Sequence, residues 1–100
     1  MSQGRPTQRT MIAAASVPRL PSHVKLRHDA ARERWVILAP ERLLTPDAIA
    51  LEVLKLCDGE RSVDGIADLL ADRYAAGKDQ ILGDVMSMLQ DLADKGVITA

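Results

Sequence analysis

Apolar and polar positions along this chain change period near its middle. In Val24-Lys25-Leu26-Arg27-His28, apolar and basic residues alternate, as on a strand with one wet face. Asp29–Glu33 is polar and short enough for a hairpin connection. Arg34-Trp35-Val36-Ile37-Leu38 is apolar on both faces, which predicts a central strand or one with a partner on its outer side. Proline cannot donate to a ladder, so Ala39-Pro40 interrupts the strand. Glu41-Arg42-Leu43-Leu44 then predicts a brief third strand at an edge.

Beyond Leu44 the period becomes helical. Thr45-Pro46-Asp47 predicts a helix start, with the threonine hydroxyl as cap, proline in the first turn and an acid near the positive end of the dipole. Ala48–Cys57 leaves only a narrow polar stripe of Ala48, Glu52 and Lys55 and is expected to be the most enclosed helix. Asp58-Gly59 ends it, Gly59 taking the left-handed conformation. Ser62 caps a second helix whose Val63, Ile66, Ala67, Leu70 and Tyr74 share one face. Ala75-Ala76-Gly77-Lys78 breaks it, Asp79 caps a third helix running to about Lys95, and Gly96 stops that one before Val97-Ile98. Three short strands followed by three helices make an α+β domain over residues 21–100.

Composition supports a helical core. The 100 residues include 14 Ala, 13 Leu, 7 Val and 6 Ile but one Trp, one Tyr and no Phe, aliphatic packing that suits helices better than a β-sandwich. One small domain is the most this length allows, which excludes a barrel enzyme or a full dinucleotide-binding fold. The formal net charge of −1 argues against a general polyanion binder. No apolar run approaches the roughly 20 residues of a membrane helix. The lone Cys57 excludes an internal disulfide and fits a reducing cytosol. Residues 1–20 carry Arg5, Arg9 and Arg19 and no acid, with one apolar island at Met11–Ala15. The island is shorter than a typical secretory core and lacks a polar flank, so a disordered or weakly ordered tail is expected there.

Catalytic chemistry finds little support. The chain has no Gly-rich phosphate loop, paired cysteines or Ser/His/Asp order. His23, His28 and Cys57 match no zinc spacing, so no metal or other cofactor is expected. Asp64, Asp68 and Asp72 form a ridge of acids, either a solvated face or a surface for a basic partner. On the third helix Met88, Ile81, Leu92, Val85, Leu89, Leu82, Ala93 and Met86 fill an arc of about 160°, wider than a surface helix needs. Its excess lies at Met88 on one flank and at Leu82 with Met86 on the other. Such an arc either fills a small core or, methionine being adaptable, holds a peptide. The edge strand Glu41–Leu44 adds unpaired main-chain groups that can template an extended peptide. If Val36 and Leu38 face the helices, Trp35 and Ile37 emerge on the other side of the sheet, as a patch for the tail, a second copy or a partner.

Three segments together resemble the PqqD family, the small proteins of pyrroloquinoline quinone biosynthesis. They are Arg34-Trp35-Val36-Ile37-Leu38-Ala39-Pro40-Glu41-Arg42, Leu54-Lys55-Leu56-Cys57-Asp58-Gly59, and Asp84-Val85 through Leu89-Gln90-Asp91-Leu92-Ala93-Asp94-Lys95-Gly96. The resemblance runs over about residues 18–98 in uninterrupted order. It implies a winged-helix-like recognition domain, a three-stranded antiparallel sheet followed by a three-helix bundle, of the type that binds leader regions of ribosomally made, modified peptides. Family members bind the precursor peptide PqqA and present it to the radical S-adenosylmethionine enzyme PqqE, doing no chemistry themselves. By position, the resemblance puts the peptide against Glu41, Arg42, Leu43 and Leu44 and along Leu82, Val85, Met86 and Gln90. It leaves monomer and homodimer both open; the cytoplasmic location expected for the chain follows from the lone Cys57 and the short N-terminal apolar island. The rival from another class is a winged-helix DNA-binding regulator, which shares the architecture. Asp84, Asp91 and Asp94 on the third helix and the acids of the second repel phosphates, and they weigh against it.

Overall fold

The structure, a computed structural model, describes residues 10–100. Strands β1 (Lys25–Asp29), β2 (Arg34–Ala39) and β3 (Arg42–Leu44) precede helices α1 (Ala48–Leu56), α2 (Val63–Tyr74) and α3 (Lys78–Asp94). The sheet is antiparallel in the order β1-β2-β3, so β2 is central and β3 lies at an edge, as the apolar pattern predicts. Pro40 and Glu41 form the two-residue loop between β2 and β3, with Glu41 in the left-handed region at φ 59°.

Which side of β2 meets the helices is opposite to the alternative that exposes Trp35 and Ile37. Ile37 pairs with Leu26 and Leu44, and all three pack into the core, Ile37 being only 1% exposed. Trp35 is half-buried on the same face, with the Lys55 ammonium of α1 4.5 Å from its ring centre. Side chains alternate along a strand, so Val36, Leu38 and Leu43 take the outer face. The expected patch of Trp35 and Ile37 is therefore corrected: Ile37 is core.

Two helix starts also differ from expectation. The cap of α1 is Asp47, whose carboxylate accepts the Ala50 amide at 2.7 Å. Pro46 holds Thr45 in extended backbone, so the chain turns helical only after Asp47. Gly77 starts α3 without a side-chain cap, and Asp79 sits inside the first turn. Lys78 is drawn into that turn because its ammonium bridges Asp64 (2.8 Å) and Asp68 (2.9 Å) of α2. Ser62 caps α2 as expected, accepting from Gly65 at 3.0 Å.

The core is aliphatic: Val53 and Leu54 of α1, Val63, Ile66 and Leu70 of α2, and Val85, Leu89 and Leu92 of α3, with Cys57 among them. No polar or charged side chain is buried among the described residues. Against expectation α1 is not the most enclosed helix. Only Val53 and Leu54 are buried there, and Ile49 is 52% exposed.

The expected boundary at residue 20 also moves. Residues 10–20 run along the helices as an irregular segment, with a turn at Ala14–Ala15, that buries Ile12 and Pro18. The carbonyls of Ala14 and Ser16 accept the amides of Asp64 (2.9 Å) and Val63 (2.8 Å), two donors that the first turn of α2 leaves unpaired. Arg19 and Thr99 exchange hydrogen bonds, both at 2.9 Å, tying this segment to the chain end. The part of the expected tail at residues 1–9 lies outside the described residues.

Candidate functional site

Leu43 is the residue from which the site is built. A two-residue loop makes Ala39 and Arg42 a hydrogen-bonded pair, and such pairs alternate with non-bonded ones along an antiparallel ladder. The next pair, Leu38 and Leu43, is therefore non-bonded, and the N–H and C=O of Leu43 point away from β2, off the edge of the sheet.

Beside this edge lies a hollow of about 360 Å3, whose apolar walls include Ile37, Leu44, Pro46, Ala50 and Leu92, with Lys95 at the rim. Arg42 closes one end by donating to the Lys95 carbonyl at 3.3 Å. Among the described residues this joins the edge strand to the end of α3. A second hollow, of about 290 Å3, sits farther along α1 and α3, between Ile49, Val53, Val85 and Met88. Glu52 and Tyr74 stand at its margin. The Glu52 carboxylate accepts from the Tyr74 hydroxyl and from Arg73. The Tyr74 hydrogen bond, and after it Arg73, holds the Glu52 carboxyl below the ordinary glutamate value of 4.5.

The residues expected along α3 divide between its two flanks. Leu82, Met86 and Gln90 recur every four residues and share one ridge. Gln90 is occupied there, its side chain accepting from the Ile12 amide at 2.9 Å and donating to the Thr10 carbonyl at 2.8 Å. The flank toward β3 and α1 is the other one, with Ile81, Met88, Leu92 and Lys95. Val85 lines the second hollow but is almost wholly buried. The structure thus brings Arg42, Leu43 and Leu44 together with Leu92 and Lys95, and leaves Gln90 on the opposite flank with the N-terminal segment. Lys95 and Ala50 have no place in the sequence reading of the site, and Leu92 enters it only as part of the wide arc on α3. The wide arc on α3 includes the flank beside β3 through Met88, but only packing decides between its two edges.

Other chemistry is sparse among the described residues. No three His, Cys, Asp or Glu side chains gather as a metal site, and no helix is long and apolar enough to cross a membrane. Burial, with a smaller push from Asp58, raises the Cys57 thiol to about 12, so it stays protonated and behaves as a small apolar group.

Comparison with known proteins gives a consistent picture. Residues 34–98 match the family model described as coenzyme PQQ synthesis protein D (PqqD). A PqqA binding protein of Bradyrhizobium diazoefficiens is 61% identical over 88 residues, 88% of this chain and 85% of that protein. One from Rhodopseudomonas palustris is 60% identical, again over 88 residues, covering 88% of this chain and 86% of its own. Among solved structures, the solution structure of the PqqD part of Methylobacterium extorquens PqqCD is described as a functional, stand-alone recognition element for ribosomally synthesized and post-translationally modified peptides. It superposes with a TM-score of 0.78 at 41% identity, over 94% of this chain and 100% of that one. The crystal structure of Xanthomonas campestris PqqD is 42% identical with a TM-score of 0.53, over 84% and 93%.

Proposed function

The chain belongs to the PqqD family of coenzyme PQQ synthesis, and from that premise we propose that it is a non-catalytic peptide chaperone that binds the precursor peptide PqqA and presents it to the radical S-adenosylmethionine enzyme PqqE in the cytoplasm. The guest adds as a strand to β3. It pairs its main chain with the outward groups of Leu43 and sets alternate apolar side chains into the hollow over Leu44, Pro46 and Leu92. Main-chain pairing supplies affinity that is tolerant of sequence, and the hollow supplies selection. The names of the relatives support the peptide's identity. The observation that carries the geometry is the backbone edge at Leu43, unpaired among the described residues, beside an apolar hollow.

Calorimetry with PqqA tests it. Leu43→Pro removes the outward N–H without breaking a bond to β2 and places a ring where the guest must lie. Affinity is expected to fall at least about tenfold, one lost hydrogen bond plus the steric block. Met88→Asp is expected to weaken binding as well, whereas Asp72→Ala, on the exposed side of α2, leaves it unchanged. Equal affinities for wild type and Leu43→Pro sink the strand-addition geometry.

A further inference from the structure

Apart from the main chain of Leu43, the outer face of the sheet takes no part in the binding geometry above. By the register of the three strands it carries Lys25, Arg27, Asp29, Arg34, Leu38 and Leu43, with Val36 among them only 6% exposed. Leu38 and Leu43 are directly opposite one another and are 39% and 56% exposed. Lys25 lies across from Leu38 and Arg27 across from Val36. Neither cation makes a hydrogen bond or ion pair among the described residues. The single acid of the face, Asp29, is already engaged by Arg32 at 3.3 Å. An apolar centre with an uncompensated basic margin therefore stands out on a protein whose helices carry most of its acids.

A strand added to β3 carries this face one strand further. Every second guest side chain then points outward beside Leu43, because neighbours along a strand alternate. Whatever covers the face touches the domain and the guest together.

We propose that this outer face docks the enzyme that modifies the bound peptide, meeting there an apolar patch rimmed by carboxylates. The inference rests on peptide addition at β3. Charge complementarity selects an acidic surface and excludes a basic one. The shared contact makes the loaded domain the better ligand for the enzyme. Linkage requires that the enzyme strengthen peptide binding by the same factor.

The test is a binding titration of the full chain against purified PqqE, with and without PqqA, for wild type, Arg27→Glu and Leu38→Glu. Both variants are expected to keep the wild-type affinity for PqqA and to lose at least about tenfold in affinity for PqqE. Wild-type binding to PqqE is expected to weaken with added salt and to strengthen with PqqA. Circular dichroism checks folding; if Leu38→Glu unfolds, the exposed Arg27→Glu decides. Unchanged PqqE affinity in the folded variants overturns the proposal. So does wild-type self-association that Leu38→Glu abolishes while PqqE binding persists, which assigns the face to a second copy. If the wild type fails to bind PqqA at all, the peptide reading falls instead.

Discussion

Glu52 shows how one side chain ties the site to stability. Placed on α1, it reaches the Tyr74 hydroxyl and the Arg73 guanidinium at the end of α2, bracing the margin of the second hollow. Asp58 does similar work after α1: its carboxylate accepts the Glu60 (2.9 Å) and Arg61 (3.0 Å) amides and pairs with the Arg61 side chain at 2.7 Å. The Arg61 amide, then that of Glu60, pulls its carboxyl below the ordinary 3.8. Both acids thus have folded values lower than their unfolded ones. The stability they contribute is fully present above the unfolded values and is lost as pH falls through the folded ones. Lys78 has the opposite sign, raised by Asp64 and then Asp68, so its contribution persists at neutral pH and fades only as pH rises through its folded value. Urea midpoints measured against pH are expected to drop on the acid side for wild type. Glu52→Gln should be less stable at neutral pH and show a shallower acid decline. A variant that declines as steeply as wild type would remove Glu52 from this account.

At the scale of elements, the short connections set the geometry. Helix α2 ends with Ala75 in the left-handed region at φ 51°, its amide returning to Ala71 and Asp72. An L side chain there costs about 1 kcal/mol relative to glycine, which has no Cβ to clash. Ala75→Gly is therefore expected to raise the thermal midpoint by a few degrees, a shift of roughly 4–8 °C per kcal/mol for a domain this size; an unchanged or lowered midpoint would contradict it. The strands and helices themselves were legible from periodicity, because Val24–His28 alternates and Val63–Tyr74 repeats a face every three or four residues. The caps were less so. Thr45 and Asp79 have the right chemistry for an N-cap, but the proline after Thr45 and the double ion pair of Lys78 move each start by two residues. The side of β2 was not legible at all, since Trp35-Val36-Ile37-Leu38 is apolar on both faces. Only the contact of Ile37 with the helices, and of Trp35 with Lys55, settles which face is core. The same ambiguity runs through α3, whose arc has apolar excess at both flanks until the N-terminal segment claims Gln90 and leaves Met88 and Leu92 for the cleft.

For the molecule as a whole, that N-terminal segment is what makes the division possible. Its composition reads as a tail, rich in small and polar residues, and no periodicity marks it because it forms neither strand nor helix. Its contribution is long-range: the Ile12 side chain enters the core, its carbonyls complete the start of α2, and Gln90 grips its backbone from α3. Gln90, on one flank of α3, is thereby occupied, which in the proposed geometry leaves the flank beside β3 for the guest. Removing the Ile12 side chain leaves a void among well-packed aliphatic neighbours, a change that typically costs about 2–5 kcal/mol. Met11 next to it is 64% exposed, so its loss should cost little. Chemical denaturation of Ile12→Ala and Met11→Ala is expected to separate the two by at least about 1.5 kcal/mol. In Ile12→Ala the affinity for PqqA should fall far less than in Leu43→Pro, because the segment braces the helix from behind without touching the guest. Equal stabilities would mean that the segment rides on the surface, and the flank holding Leu82 and Met86 would then be open to the peptide.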